Sequence, residues 1–162
     1  MDVTFVRVDN RLIHGQILEA WVPFIGASRI IVVNDEVASD IFRETVVRMA
    51  VPHDIEVLIY GVGEFSENYV IGENNKKRTI ILFSDIDDSL KAYKTGFHFS
   101  KLNIGNVHCS EDTICCATSI FLSKDDIMNI MSLIELGVKV ELRSVPRDKS
   151  RDFLDVMKGI TF

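Results

Sequence analysis

Long apolar runs are missing from this 162-residue chain: none approaches the roughly 20 residues that a membrane-spanning helix needs. Nothing at the start reads as a secretory leader, since Asp2 stands where a basic segment would be required. Cysteine is scarce. The three present, Cys109, Cys115 and Cys116, are odd in number and crowded together, which argues against a disulfide framework and suits a reducing compartment. A cytoplasmic protein is therefore expected. Positive charge is in deficit: 18 Lys and Arg face 24 Asp and Glu, and the net charge of -6 argues against non-specific nucleic-acid binding, which needs a basic face. A small basic pocket on an acidic body is still allowed, and Arg7 with Arg11 would supply one. Repeats, low-complexity tracts and linkers are absent as well, so residues 1–162 are expected to form one domain with a proper core.

What the chain does have is regular alternation. Apolar strand-like runs trade places with amphipathic segments from end to end, the pattern of an α/β domain with a mostly parallel central sheet and helices on both faces. Strands are expected over 3–8, 29–33, 55–60, 79–83, 101–104, 119–122 and 138–142. A helix over 16–21 is ended or bent by Pro23. Another over about 39–50 places Phe42, Val46 and Met49 at helical spacing. Residues 64–69 are weakly helical, and a helix over 87–94 stops at Gly96. Ser123 with Asp126 makes a capping-box-like start to a helix whose Ile127, Ile130, Met131 and Ile134 share a face before Gly137. A last helix over 150–158 turns Phe153, Val156 and Met157 inward. The polar stretch 72–77 reads as a surface loop, and 108–118 as a small hairpin.

One segment departs from this ordinary pattern. Residues 7–16, Arg-Val-Asp-Asn-Arg-Leu-Ile-His-Gly-Gln, gather two cations, one carboxylate, two amides and one imidazole directly after the first strand. Ligand crevices of open α/β sheets lie at the carboxyl ends of strands, and helix starts offer unpaired N–H groups to anions. His14, with Arg11 on the same loop and Arg7 nearby, is placed to meet a phosphoryl group, and Gly15 allows a tight backbone there. Arg7 is the weaker candidate, because strand alternation can turn it away from the loop.

This segment resembles the active-site loop of the mannose/sorbose-type IIB components of the bacterial phosphoenolpyruvate-dependent sugar phosphotransferase system. The matching positions are Arg7, Asp9, Arg11, His14, Gly15 and Gln16. The likeness continues in order through Trp21, residues 29–35, Asn103-Ile104-Gly105, and residues 137–143 with Pro146 and Asp148 beyond. It implies a protein-Npi-phosphohistidine–sugar phosphotransferase of the same α/β fold that needs no cofactor. By that resemblance His14 is the transient phosphoacceptor, and Nδ1 is its reactive nitrogen. The spacing alone does not choose between the nitrogens. The donor is a IIA phosphocarrier protein. The acceptor is a sugar held by membrane IIC/IID transporter components, with which the chain associates peripherally. A homo-oligomer is left open.

The chemistry suits such a carrier. Neutral imidazole offers a nucleophilic nitrogen at cytoplasmic pH and forms a labile N–P bond. Arg11 supplies a planar fork of donors to the equatorial phosphoryl oxygens, and backbone N–H groups around Gly15 and Gln16 supply more. Asp9 either pairs with an arginine or fixes the imidazole tautomer. Two departures from the family pattern stand out. Asn10 replaces a commonly found Asp, and Asn106-Val107 follows Gly105 where Gly-Met is frequent.

Other residues suggest less. His108, Cys109, Cys115 and Cys116 lack a Cys-x-x-Cys knuckle, so buried or partly buried thiols are expected and no metal site. His53 and His98 are expected at the surface. Gly61-x-Gly63 lacks the third glycine of a dinucleotide site, residues 76–78 read as a solvated charge run, and Ser84 as a turn serine. Two rival functions share the same loop: a regulatory phosphoacceptor module not coupled to transport, and a small anion- or nucleotide-binding α/β domain.

Overall fold

The computed structural model describes residues 4–71 and 77–160, so the polar loop expected over 72–77 lies outside the described residues save for Lys77. Seven strands form the central sheet in the order β3-β2-β4-β1-β5-β8-β9. They are β1 (Thr4–Asp9), β2 (Arg29–Val33), β3 (Glu56–Tyr60), β4 (Thr79–Phe83), β5 (Lys101–Asn106), β8 (Lys139–Leu142) and the two-residue β9 (Arg151–Asp152). All neighbours pair in parallel except β9, which runs antiparallel to β8. Every residue of β2 and of β4 is buried. Strands covered on both faces need no polar alternation, so after Arg29 and Thr79 these two read as apolar runs.

The two faces have separate cores. On one, Val6 and Val8, Ile31 and Val33, Ile81 and Phe83, and Leu102 and Ile104 pack with residues of α4 (Val62–Ile71), α5 (Ile86–Lys94), α6 (Lys124–Glu135) and α7 (Phe153–Lys158). The opposite face is smaller. There Ile30, Val32, Ile80 and Leu82 meet Leu12, Ile17 and Trp21, with α2 (Asp35–Ala38) and α3 (Ile41–Ala50) beyond them. The hairpin expected within 108–118 forms further along: β6 (Ile114–Ala117) pairs antiparallel with β7 (Ile120–Leu122), the strand expected over 119–122, and the two make a small separate sheet. The capping box of α6 is present, with Ser123 and Asp126 bonded reciprocally.

Three local expectations are revised. Residues 17–21 form a π-helical turn, closed by a bond from Val22 N–H to the Ile17 carbonyl, and α1 (Val22–Ile25) continues through Pro23 to a left-handed Gly26. Proline near the start of an α-helical turn forfeits only an N–H that has no helical partner there, so the chain passes it without ending. The helix expected over about 39–50 forms as α3, capped by Asp40, which accepts from Phe42 N–H and Arg43 N–H; a separate short turn, α2, capped by Asn34, precedes it. The apolar stripe of α3 turns outward, with Phe42 77% and Met49 80% exposed, while Val47 lies against the core. The cysteines also divide. Cys116 is buried, but Cys109 and Cys115 are exposed, because adjacent strand residues face opposite ways. Among the described residues no helix is long and apolar enough to cross a membrane, and no group of three or more ligand-type side chains is placed to hold a metal.

Candidate functional site

The site begins with a row of polar side chains on the smaller face. Arg7, Asn103 and Glu141 are register partners on β1, β5 and β8. Arg7 Nη1 donates to Asn103 Oδ1 at 2.7 Å, and Asn103 Nδ2 donates to Glu141 Oε1 at 3.1 Å. Burial pushes the Glu141 carboxyl up, but bonds from Ser150 and Asn103 and the charge of Lys101 outweigh it and hold Glu141 below the usual carboxylate range. Trp21 covers the Arg7 guanidinium at 5.1 Å.

Arg7 is therefore not available to a phosphoryl group. Its side chain is fully buried. Besides Asn103, its donors reach Asp9 Oδ2 from both Nε (3.3 Å) and Nη2 (3.0 Å), the Arg143 carbonyl (3.0 Å) and the Ser144 carbonyl (2.9 Å). These bonds engage all five N–H groups of the guanidinium. The expected phosphate-binding role of Arg7 gives way to that of a hub tying β1 to β5 and to the loop after β8. That loop is shaped by Arg143, which donates to the Pro146 and Asp148 carbonyls and so accounts for the C-terminal motif.

Asp9 is two residues along the same face. It takes both nitrogens of Arg7 on Oδ2 and the backbone N–H of Arg11 on Oδ1 (3.0 Å). Oδ2 also contacts His14 Nε2 at 2.7 Å and accepts from Asn106 Nδ2 at 2.8 Å. Burial alone would raise this carboxyl, but His14, the charge of Arg7 and the Asn106 amide together hold it below its ordinary value. An ionised carboxylate only accepts, so the His14 nitrogen facing it carries the proton. No hydrogen bond among the described residues engages the other nitrogen, Nδ1.

The loop between Asp9 and His14 is held by a bond from Leu12 N–H to the Asp9 carbonyl, with Leu12 itself at φ 56 and its side chain buried. The tight backbone expected at Gly15 thus falls at Leu12 instead. Gly15 does not have a positive φ, and a Cβ there would meet nothing within 4 Å. The His14 carbonyl accepts from Ile17 and Leu18, which puts Gly15 and Gln16 in a first turn whose N–H groups lack helical acceptors. Arg11, with its side chain 48% exposed, reaches Gln16 Oε1 from Nη2 at 3.0 Å.

Two participants were given no role from the sequence, although Asn106 stood out there as a departure from the family pattern. Asn106 is buried and bonds both Asp9 and Gln16 Oε1 (3.1 Å). It faces them because the β1–β5 register slips: Val8 pairs with Ile104, but Asp9 pairs with Asn106, leaving Gly105 as an extra residue. Such a bulge re-aims the next side chain, and its only trace in the sequence is the glycine. His108, set aside with the cysteines, takes a bond from Asn10 Nδ2 to its Nδ1 (2.8 Å), so the rim of the loop is pinned to the segment after β5. Ser84 accepts from Asn34 and sits in a turn, as expected. Beside the loop lies a cleft of about 370 Å³, bordered by Asn10, Leu12, Asn34, Asp35, Ser84 and Asp88 among others. Burial and the neighbouring charges of Asp85 and Asp35 push Asp88 up to about 6.

A parallel sheet that sets a carboxylate-backed imidazole at the carboxyl ends of its strands, with a half-exposed guanidinium beside it, defines an α/β domain equipped for anion chemistry. Comparison with known proteins then fixes the family. The chain matches the model described as PTS system sorbose subfamily IIB component over residues 3–161, and it belongs to that family. It is 34% identical over 154 residues to the sorbose-specific EIIB component of Lacticaseibacillus casei, covering 95% of this chain and 94% of that one. It is 29% identical over 161 residues to the fructose-specific EIIB component of Bacillus subtilis (strain 168), covering 99% of both. The crystal structure of the IIBSor domain of the sorbose permease from Klebsiella pneumoniae superposes with a TM-score of 0.91 at 31% identity, covering 100% of this chain and 99% of that one.

Proposed function

We propose that the chain is a histidine phosphocarrier: His14 accepts a phosphoryl group from a phospho-IIA partner and passes it to a sugar during uptake. The observation that carries this reading is the contact between Asp9 Oδ2 and His14 Nε2. With Nε2–H held there, the lone pair of Nδ1 attacks phosphorus while the donor's N–P bond breaks and its electron pair returns to the donor ring. The His14 ring becomes an imidazolium bearing PO₃²⁻, and the buried Asp9 carboxylate balances the new ring charge. In the second transfer a sugar hydroxyl oxygen attacks phosphorus, its proton leaves to a base at the acceptor site, and the N–P electron pair returns to Nδ1. Both transition states spread charge over three equatorial oxygens. Arg11 is the side chain offered to those oxygens, with the backbone N–H groups of Gly15 and Gln16.

Family membership supports the partners. The mannose-specific EIIAB component of Escherichia coli (strain K12) is 27% identical over 160 residues, and this chain spans 50% of its length, which fits a IIA unit joined to a IIB unit in that relative. Relatives named for fructose, sorbose and N-acetylgalactosamine share this fold, which fits sugar choice lying with membrane IIC/IID components to which a cytoplasmic IIB chain docks peripherally.

Incubation with labelled phosphoenolpyruvate, the general phosphotransferase proteins and a cognate IIA tests the reading. Stoichiometric, acid-labile label on the chain is expected, and no label under conditions that charge IIA would overturn it. In the same assay Arg11→Ala is expected to slow labelling by about 10²-fold, the usual effect of removing one transition-state donor. Its thermal unfolding is expected to stay near wild type, because a half-exposed arginine contributes little to stability. Loss of folding with normal transfer per folded molecule would return Arg11 to a structural role.

A further inference from the structure

We infer that Asn106 is a positioning residue of the transfer site, tying the carboxylate behind the His14 ring to the guanidinium beside it through one amide nitrogen. The inference rests on the phosphocarrier reading only for the rate it affects. The geometry stands without it. Asn106 Nδ2 has two protons, and both are used: one goes to Asp9 Oδ2 at 2.8 Å, the other to Gln16 Oε1 at 3.1 Å.

The orientation of the amide is forced. Turned over, it would set its carbonyl oxygen against the Asp9 carboxylate and against Gln16 Oε1, two acceptors facing an acceptor. Gln16 is fixed in turn, since its Oε1 receives both Asn106 Nδ2 and Arg11 Nη2. The Gln16 NH₂ therefore points away from these two donors, and no bond among the described residues engages it. On the other side, Asn106 and Arg7 hold Asp9 Oδ2 from two directions and aim it at His14 Nε2. One buried side chain thus sets three things: where the Asp9 oxygen sits, which nitrogen of His14 keeps its proton, and which end of Gln16 faces Arg11.

Backbone geometry serves this arrangement. In an unbroken ladder Gly105 would sit opposite Asp9 and Asn106 would turn to the other face of the sheet. The register slip at Asp9 brings Asn106 round instead.

The test reads the His14 ring before any phosphate is attached. Nitrogen-15 NMR of the wild type is expected to show Nε2 protonated and Nδ1 bare at neutral pH. In Asn106→Ala, which removes both bonds without adding charge, a mixture of tautomers is expected with an unchanged fold. Labelling by phospho-IIA is expected to slow by about tenfold or more, as small misplacements of reacting groups do. An unchanged tautomer in Asn106→Ala would overturn the inference.

Asn106→Asp keeps the shape but sets an oxygen where the NH₂ group donated both bonds, and it keeps the idea testable if the alanine variant is unstable. Its added carboxyl faces Asp9 and Gln16, with Arg7, Arg11 and His14 around them. Protonated, its single O–H restores one of the amide's two bonds; ionised, it repels Asp9. Its labelling rate relative to wild type is expected to rise as pH falls from 8 to 6, whereas a constant ratio would overturn the role. Because the tautomer is read without phosphate, a wild type that is never labelled removes the phosphocarrier reading and leaves the positioning of Asp9 and His14 to be decided separately.

Discussion

His14→Ala is expected to carry no label at all in the phosphoenolpyruvate relay, with the fold intact. The loss is complete because no neighbouring side chain offers an equivalent nucleophile. The other histidines, His53, His98 and His108, are exposed, and among the described residues none contacts a carboxylate. His108 gives its Nδ1 to Asn10, and the His98 ring lies against Tyr93. The structural cost is small. Asp9 loses one of its partners but keeps Arg7, Asn106 and the Arg11 backbone N–H, so a net loss of about 1 kcal/mol is expected. For a domain of this size that lowers Tm by roughly 2–4 °C. The measurement is acid-labile label per folded molecule beside a thermal melt. Equal labelling of variant and wild type would remove His14 from its role.

Gly105→Ala is expected to produce the largest loss of stability of any single methyl added to the chain. A Cβ at that position would overlap the guanidinium carbon and both terminal nitrogens of Arg7. Arg7 has nowhere to go. It is sealed by Trp21 above, by Asn103 beside it, and by the Arg143 and Ser144 carbonyls beyond. Moving it strips Asp9 of its buried counter-charge. Breaking a buried pair while leaving one charge behind typically costs about 3–5 kcal/mol. Total stabilities run to about 5–15 kcal/mol, so a fall in Tm of roughly 10 °C is expected, together with weakened transfer because Asp9 no longer holds His14. Gly15→Ala is the internal comparison: its added methyl meets nothing within 4 Å, and its stability should match or slightly exceed wild type. Equal melts for Gly105→Ala and wild type would show that Arg7 is not held as described.

Legibility from sequence followed the physics of each element. The buried strands were legible because β2 and β4 are covered on both faces and so, after Arg29 and Thr79 at their starts, are apolar at every position. The site loop was legible because seven polar or glycine positions crowd into residues 7–16 directly after an apolar strand. The standing of Arg7 was not legible. Its partners at Arg143 and Ser144 are backbone carbonyls more than a hundred residues away, and a carbonyl has no sequence signature. Asn106 was hidden for a related reason, since a bulge changes which face a residue occupies without changing its composition. The outward turn of α3 could not be read from its helical spacing, because periodicity gives a stripe but not the neighbour it faces. The left-handed Leu12 ran against propensity altogether, in a loop whose side chains hold it from both sides.

In the proposed transfer, Asp9 occupies Nε2 of His14 and so leaves Nδ1 to react. Phosphorus and nitrogen-15 NMR of the phosphorylated wild-type chain tests it most directly. One phosphohistidine is expected, at His14, with phosphorus coupled to Nδ1 and the proton retained on Nε2. Phosphorus on Nε2, or on any residue other than His14, would contradict it.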